Sequence, residues 1–381
     1  MRIVIASDSY KGSVSSLEVG NAIKEGILRV DSATEVLVRS IADGGEGTSL
    51  ALTQALGGKM RQIQVHDPLG KIITASYGVV PEEKLAIIEM AAASGLVLVP
   101  PEKRNPLFTS SVGTGEMILD AIQNGYRRFI VGIGGSATND GGIGMLNALG
   151  FRFRDETGGI VPAGAAGLKH LASIDRNDVI EDLNQCDFMV ACDVNNPLCG
   201  PRGSSSVFGP QKGATVEMVA DMDVWMAKYA VLAKKINPQA DPTFSGAGAA
   251  GGLGFAFKTF LNAILKPGID IVLEEIGLEN DILKADLVIT GEGRLDSQSV
   301  MGKAPAGVAK LAKIHNKKVI AIAGCLSSDA GICNDCGIDA FFSITPGAMS
   351  LDAAMHNETA KQNLANTAEQ IFRLFTLNEK S

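Results

Sequence analysis

Short apolar runs rich in Val and Ile recur along the chain, separated by stretches of helical periodicity. This alternation limits the possible folds more than any other feature. The runs are "RIVIA" (2–6), "VLVRSI" (36–41), "RFIVGI" (128–133), "FMVAC" (188–192), "DLVIT" (286–290), "KVIAIAG" (318–324) and "AFFSIT" (340–345). Continuous apolar character, without polar alternation, means burial on both faces of a strand. "SSLEVGNAIKEGILRV" opens on a serine cap and sets Leu17, Ala22, Ile23 and Ile27 on one stripe of a helix. "GTGEMILDAIQNG" stops at a glycine. "GVAKLAKIHNKK" leads into the run at 318, and "AMHNETAKQNLANTAEQIFRLF" reads as a long closing helix. Strand, helix and strand in alternation predict a parallel sheet with right-handed crossovers.

One region breaks the pattern. "RQIQVHDPLGKIITASYGVV" followed by "KLAIIEM" reads as an antiparallel meander, with Asp67, Pro68 and Gly70 at its first corner. Residues 150–185 are glycine-rich with weak periodicity. The expected fold class is therefore α/β: an open parallel-sheet (Rossmann/flavodoxin-like) domain with an inserted mixed α/β domain. Residues 1–60 with 275–381 are expected to form the first domain, and 61–274 the second. A length of 381 residues suits two or three domains at roughly 150 residues each.

Ligands of open parallel sheets bind beyond the carboxyl ends of the strands, so the residues after each run carry the functional information. They are Asp8 and Lys11 in "SDSYKGS", Asp43 and Glu46 in "ADGGEG", and Asp193 and Asn195 in "DVNNP". Glu292, Arg294, Asp296 and Ser297 lie in "GEGRLDSQS". Asp, Asn and Gly make turns everywhere, so any one loop is weak testimony. Several together are stronger, because crowded carboxylates raise one another's pKa and call for cations. Lys11, Lys212, Arg294, Lys303 and Mg²⁺ are the available ones. Hard oxygen donors beside glycines suit Mg²⁺ shared with phosphates better than zinc.

"FIVGIGGSATNDGG" (129–142) runs from a strand into Gly134, Gly135, Ser136, Ala137 and Thr138. Asn139 or Asp140 is then placed to cap a helix carrying Ile143, Met145, Leu146 and Leu149, whose N-terminus is a potential anion site. Gly141, Gly142 and Gly144 each cost about 1 kcal/mol in a first turn relative to alanine. Close approach of a ligand, of another backbone, or tight helix packing would each account for them. A second glycine run, "SGAGAAGGLG" (245–254), repeats the device before "FAFKTFLNAIL", and "FGPQKGA" sets Lys212 between proline and glycine. Two such nests with several cations favour a nucleoside triphosphate plus a small acid.

Gly132-x-Gly134-x-x-Ala137 also matches the dinucleotide fingerprint, with Asp155 about 20 residues on. This leaves a NAD-dependent oxidoreductase of a small hydroxy acid as the alternative. Abundant glycine weakens the match, and Asp155 lies in the turn-like "RDETGG". The Walker pattern and the nucleophile elbow G-x-S-x-G are both missing.

A net charge of −8 argues against broad nucleic-acid binding, and no window approaches the roughly 20 apolar residues of a membrane span. "MRIVIASDSY" reads as a strand rather than a signal peptide. With six cysteines and no signal, the expectation is free thiols in a cytoplasmic protein. Cys333-x-x-Cys336 lacks the second pair or the spaced histidines of a zinc site.

"IASDSYKGS", "ADGGEGT", "IEMAAASGL", "TSSVGTGE", "GIGGSATNDGG", "ACDVNNPL", "FGPQKGA", "GAGAAGG" and "TGEGRLDSQS" occur in the order found in the bacterial glycerate kinase family of the glyoxylate and galactarate pathways. The chain resembles that family over nearly its whole length. It departs mildly at Ser7, where the family commonly has proline. The resemblance implies ATP- and Mg²⁺-dependent phosphorylation of D-glycerate, with 2-phosphoglycerate as the favoured product.

Residue roles are then assigned from the chemistry of phosphoryl transfer, which is mostly positioning and charge neutralisation. Gly134, Gly135, Ser136, Thr138, Asn139, Lys212, Gly248 and Gly251 are expected along the oxygens of ATP or glycerate. Asp43, Glu46, Asp193 and Glu292 are the candidate Mg²⁺ ligands. Asp193 is the first choice for the base and Asp296 the second. Lys11, Lys212 or Arg294 would neutralise the transferring phosphate or grip the glycerate carboxylate. Ser94 and Ser297 would bond its hydroxyls. A homo-oligomer is compatible with the sequence.

Overall fold

Strand β1 (Arg2–Ser7) and β2 (Glu35–Ser40) open the chain. Next come β3 (Lys59–His66), β4 (Ile72–Val80), β5 (Leu85–Glu89) and β6 (Arg128–Gly132). The short β7 (Arg152–Arg154) and β8 (Ser173–Asp175) precede β9 (Asp187–Ala191) and β10 (Ile264–Lys266). The last are β11 (Leu287–Leu295), β12 (Lys318–Leu326) and β13 (Ala340–Ser343). These come from a computed structural model that describes residues 1–42, 47–300 and 302–377. The chain divides into two units, Met1–Gly44 with Ile269–Ser381, and Gly45–Gly268.

In the first unit a five-stranded sheet has the order β13-β12-β11-β1-β2, and every neighbouring pair is parallel. Renumbered within the unit, this is the 2-1-3-4-5 order of flavodoxin-like sheets. Side chains alternate between the two faces. Ile3, Ile5, Leu287, Ile289, Ile320 and Ile322 face the helices Ser16–Val30 and Asn357–Phe375 in one apolar cluster. The helix Ala304–Ile314 packs on β1, β11 and β12.

The first helix starts where the sequence places it, at a capping box: Glu18 N–H donates to Ser15 Oγ and Ser15 N–H to Glu18 Oε2. Its buried stripe is Val19, Ala22, Ile23 and Ile27. Leu17, expected on that stripe, is 55% exposed, because two residues before Val19 lies on the opposite side of a helix. At Gly26 a side chain would overlap the carbonyl of Ala365, so glycine sets how closely this helix meets the closing one.

The second unit holds a six-stranded mixed sheet, β10-β9-β6-β5-β4-β3. The β3–β4 and β4–β5 pairs form the meander and are antiparallel. The remaining pairs are parallel. Asp67 closes the first corner by accepting from Leu69 N and Lys71 N at 2.8 and 2.9 Å. Stacked Phe129 and Phe188, 4.7 Å apart, centre the core. The weakly periodic stretch after 150 contains the antiparallel β7–β8 pair.

Both unit borders differ from those expected. The helix Thr48–Ala55 packs on β4 and β5, which takes it into the second unit. Ile269 packs against Gly307, which takes the segment after 268 into the first. No helix among the described residues is long and apolar enough to cross a membrane. All six cysteines are free thiols. Cys333 and Cys336 sit on the 3-10 helix Ala330–Cys336, directly before β13.

Candidate active site

In a 2-1-3-4-5 sheet the connections leave β1 and its neighbour β11 in opposite directions, and a crevice opens beyond their carboxyl ends. A cavity of about 430 Å³ lies there. Asp8 and Lys11 reach it from the end of β1, Glu292 and Arg294 from β11, and Lys303 from the N-cap of the helix Ala304–Ile314.

Glu292 is the central group. Its carboxylate is mostly buried, and Oε1 has no hydrogen-bond partner among the described residues. Oε2 lies 3.5 Å from Lys303 Nζ. Burial pushes its pKa up; the Ser299 hydroxyl and Lys303 oppose the shift, and the negative charge of Asp8 adds to it. A buried carboxylate oxygen without a donor carries a desolvation cost that a cation or a ligand hydroxyl would relieve. Lys11 and Arg294 are exposed on the rim.

Asp296 lines the same cavity, but its Oδ1 accepts from Gln298 N and closes a turn. Ser297 is tied through its N–H to Asp329 Oδ2 at 3.2 Å. Asp43 and Glu46 lie outside the described residues. Among the described residues no group of three or more His, Cys, Asp or Glu is assembled as a metal site. The oxygen donors of Asp8 and Glu292, flanked by lysines, nevertheless fit a hard cation shared with phosphates.

Most glycines of the second unit's motifs pack against other parts of the chain. Gly251 has φ +67° and presses on the backbone of Thr138. Gly141 N donates to Gly251 O at 2.9 Å. Gly248 packs on the carbonyl of Pro197 and donates to Asn196 O. Side chains at Gly141, Gly142 and Gly144 would strike Tyr229, Ala256 and Ser110 respectively. The bare backbone in these runs therefore serves to interlock three loops. Gly248 and Gly251, expected along ATP, are interior packing positions. Thr138 and Asn139 are also fully buried, with Asn139 Nδ2 donating to Ser205 Oγ at 2.9 Å.

The anion site expected at the following helix is filled by the chain itself. The helix Ile143–Ala148 is capped by Gly142 in a left-handed conformation. The Asp140 carboxylate accepts from Gly142 N and Gly144 N, and from both N and Oγ of Ser111. Burial raises the Asp140 pKa, and these donors oppose the shift.

Lys212 is 1% exposed, and its Nζ donates to Ser136 Oγ at 2.7 Å and to Thr138 O at 2.6 Å. Burial lowers its pKa to about 7, with Asp140 opposing. It braces the turn from inside. Only Gly134 and Gly135 of this motif are exposed, and a side chain at Gly134 would meet open space. Ser94, expected to bond a substrate hydroxyl, is fully buried and accepts from Thr114 Oγ1 at 2.8 Å. Asp193 stands exposed beyond β9 and accepts from Gly268 N at 2.9 Å.

The dinucleotide reading fails on geometry. The glycines after β6 lead into a turn braced by Lys212, not into a helix, and the Asp155 carboxylate is taken up by Thr157 and Gly159 of its own turn. Sequence reading noted Asp8 as a strand-end carboxylate but assigned it no role. Its position directly after β1 was the available signal. The part of the cavity wall formed by Leu351, Met355 and Asn363 had none: Met355 and Asn363 lie in the segment expected as the closing helix, and Leu351 just before it.

The described Glycerate kinase family matches residues 3–376. A Bacillus subtilis (strain 168) protein named glycerate kinase is 48% identical over 371 residues, covering 97% of each chain. An Escherichia coli (strain K12) protein named glycerate 2-kinase is 47% identical over 371 residues, again 97% of each. A crystal structure described as a "putative glycerate kinase 2" from Salmonella typhimurium LT2 superposes with a TM-score of 0.91. It is 46% identical, with 100% of both chains covered.

Proposed function

Because the chain belongs to the glycerate kinase family, we propose that it transfers the γ-phosphoryl group of ATP to the C2 hydroxyl of D-glycerate. Two relatives of similar identity bear the names glycerate kinase and glycerate 2-kinase, and the second name supports the C2 position. The observation that carries the reading is Glu292 in the carboxyl-terminal half of β11, whose buried Oε1 has no hydrogen-bond partner among the described residues and whose Oε2 lies 3.5 Å from Lys303. That is where a flavodoxin-like sheet binds its ligand.

Asp8 and Glu292 would hold Mg²⁺, with Asp43 and Glu46 as further candidates from the sequence. When bound, the ion neutralises charge on the β- and γ-phosphates. Lys11, Arg294 and Lys303 add positive charge around the phosphates, and Arg294 has the fork geometry for two oxygens of one group. Asp193 is the proposed base for the glycerate hydroxyl, with Asp296 the second choice because one of its oxygens already closes a turn. The exposed Gly134–Gly135 turn, braced by Lys212, is the proposed contact for an anionic substrate group.

ADP release on mixing the purified protein with D-glycerate, ATP and Mg²⁺ tests the activity. Asp193→Asn is expected to lower kcat on the order of 10²-fold if it is the base. A folded variant with normal kcat would remove it from that role.

A further inference from the structure

We infer that the cavity of the first unit is the nucleotide subsite and that the segment 344–363 forms its base-binding wall. The inference rests on the kinase reading above and adds which substrate this cavity takes and which residues contact its base. The walls of the cavity differ in chemistry. The ends of β1 and β11 and the cap residue Lys303 supply carboxylates and cations. Ile344, Leu351, Met355 and Ala360 supply an apolar wall.

Leu351 is 72% exposed and Met355 is 37% exposed. Large apolar side chains open to solvent at the mouth of a cavity call for a flat apolar partner. Polar groups stand among them. Asn363 lines the cavity, and its side-chain amide has no hydrogen-bond partner among the described residues. Ser13 Oγ is buried, likewise without a partner among those residues. Thr345 Oγ1 donates to Gly324 O at 2.8 Å, which leaves its lone pairs to accept from a ligand.

A molecule that is apolar and flat at one end, carries hydrogen-bonding edges, and is polyanionic at the other end satisfies all of these groups. A purine nucleoside di- or triphosphate with Mg²⁺ has that chemistry, and a three-carbon acid such as glycerate does not. The wall is held in place from within the unit. Asn357 Nδ2 donates to Ser13 O at 2.9 Å, and a side chain at Gly12 would sit 3.0 Å from Met355 Cε. The base-binding wall and the loop after β1 are thus one assembly. The Asn363 amide, donor and acceptor side by side, is the residue assigned to read the edge of the base.

The test uses the full chain. Leu351→Glu places a charge in the base wall at an exposed position, and Asn363→Ala removes the edge reader. Each is expected to raise KM for ATP roughly ten-fold or more, with KM for D-glycerate little changed. Each should also weaken Mg-ADP binding by calorimetry to the same extent. Independently of any variant, irradiation of the wild-type protein with 8-azido-ATP should modify peptides within 344–363, and excess ADP should protect them. Adducts confined to other segments, or unchanged ATP affinity in both folded variants, would overturn the subsite even where glycerate is phosphorylated. A wild-type protein that binds Mg-ADP and labels at 344–363 but transfers nothing to glycerate would support the subsite and overturn the proposed acceptor.

Discussion

Gly251 lies so tightly against Thr138 that a side chain at Gly251 would overlap the Thr138 carbonyl oxygen. Two glycine runs more than a hundred residues apart in sequence, each of which reads as a phosphate loop, are therefore packed on one another. Gly251→Ala adds both this overlap and a left-handed φ of +67°, and is expected to cost at least about 3 kcal/mol. Gly134→Ala meets open space and should stay within about 0.5 kcal/mol of wild type. If the exposed turn contacts substrate, Gly134→Ala will instead change KM. Urea unfolding of both variants checks the contrast, and equal stability losses would contradict it.

Asp140 gathers donors from Ser111, Gly142 and Gly144 on one buried carboxylate. Asp140→Ala leaves buried N–H groups without an acceptor and should destabilise the protein on the order of 3 kcal/mol. A melting curve that moves by less than a degree would show that other acceptors replace it.

Lys212 gives a pH signature. Its folded pKa is lowered from the ordinary 10.5 to about 7. Between those values the unfolded chain carries a proton that the folded chain lacks. The group's penalty is therefore full below about pH 7 and is lifted as pH rises toward 10.5. Relative to Lys212→Met, the wild-type protein is expected to gain stability from pH 7 to pH 10. Chemical unfolding of the pair at several pH values measures this, and a constant difference would contradict it.

Glu292 titrates the other way in function. Its pKa is raised by burial, and only the carboxylate form can bind Mg²⁺. Mg²⁺ affinity should therefore fall on acidification at a pH above the usual carboxylate range. Glu292→Gln should abolish that dependence and lower kcat/KM on the order of 10²-fold. Mg²⁺ titrations of activity between pH 5 and 8 report both effects.

Much of the fold was legible because its strands are buried on both faces. The runs at 2–6, 286–290 and 318–324 lie within β1, β11 and β12 apart from a residue at their ends, and the turn residues Asp67 and Gly70 mark the meander. The site was legible only in part. Glu292 and Lys11 drew attention as candidates because they come after the apolar runs 286–290 and 2–6, and the structure sets both on one cavity. Thr138, Asn139, Gly248 and Gly251 are buried and packed on other backbone, which the sequence could not signal because a glycine run that accommodates a phosphate and one that accommodates another backbone have the same composition. Which of the two applies depends on contacts between loops such as 138–141 and 246–252. Leu351 and Met355 gave no signal, since an exposed apolar residue gains meaning only from the cavity beside it.

The most direct measurement is ³¹P NMR of the mixture after incubation of the protein with D-glycerate, ATP and Mg²⁺. The expected result is ADP together with a phosphate monoester whose resonance is split by the single proton on C2. A spectrum that retains only ATP, or that shows ATP hydrolysed to inorganic phosphate with no ester formed, would contradict glycerate kinase activity.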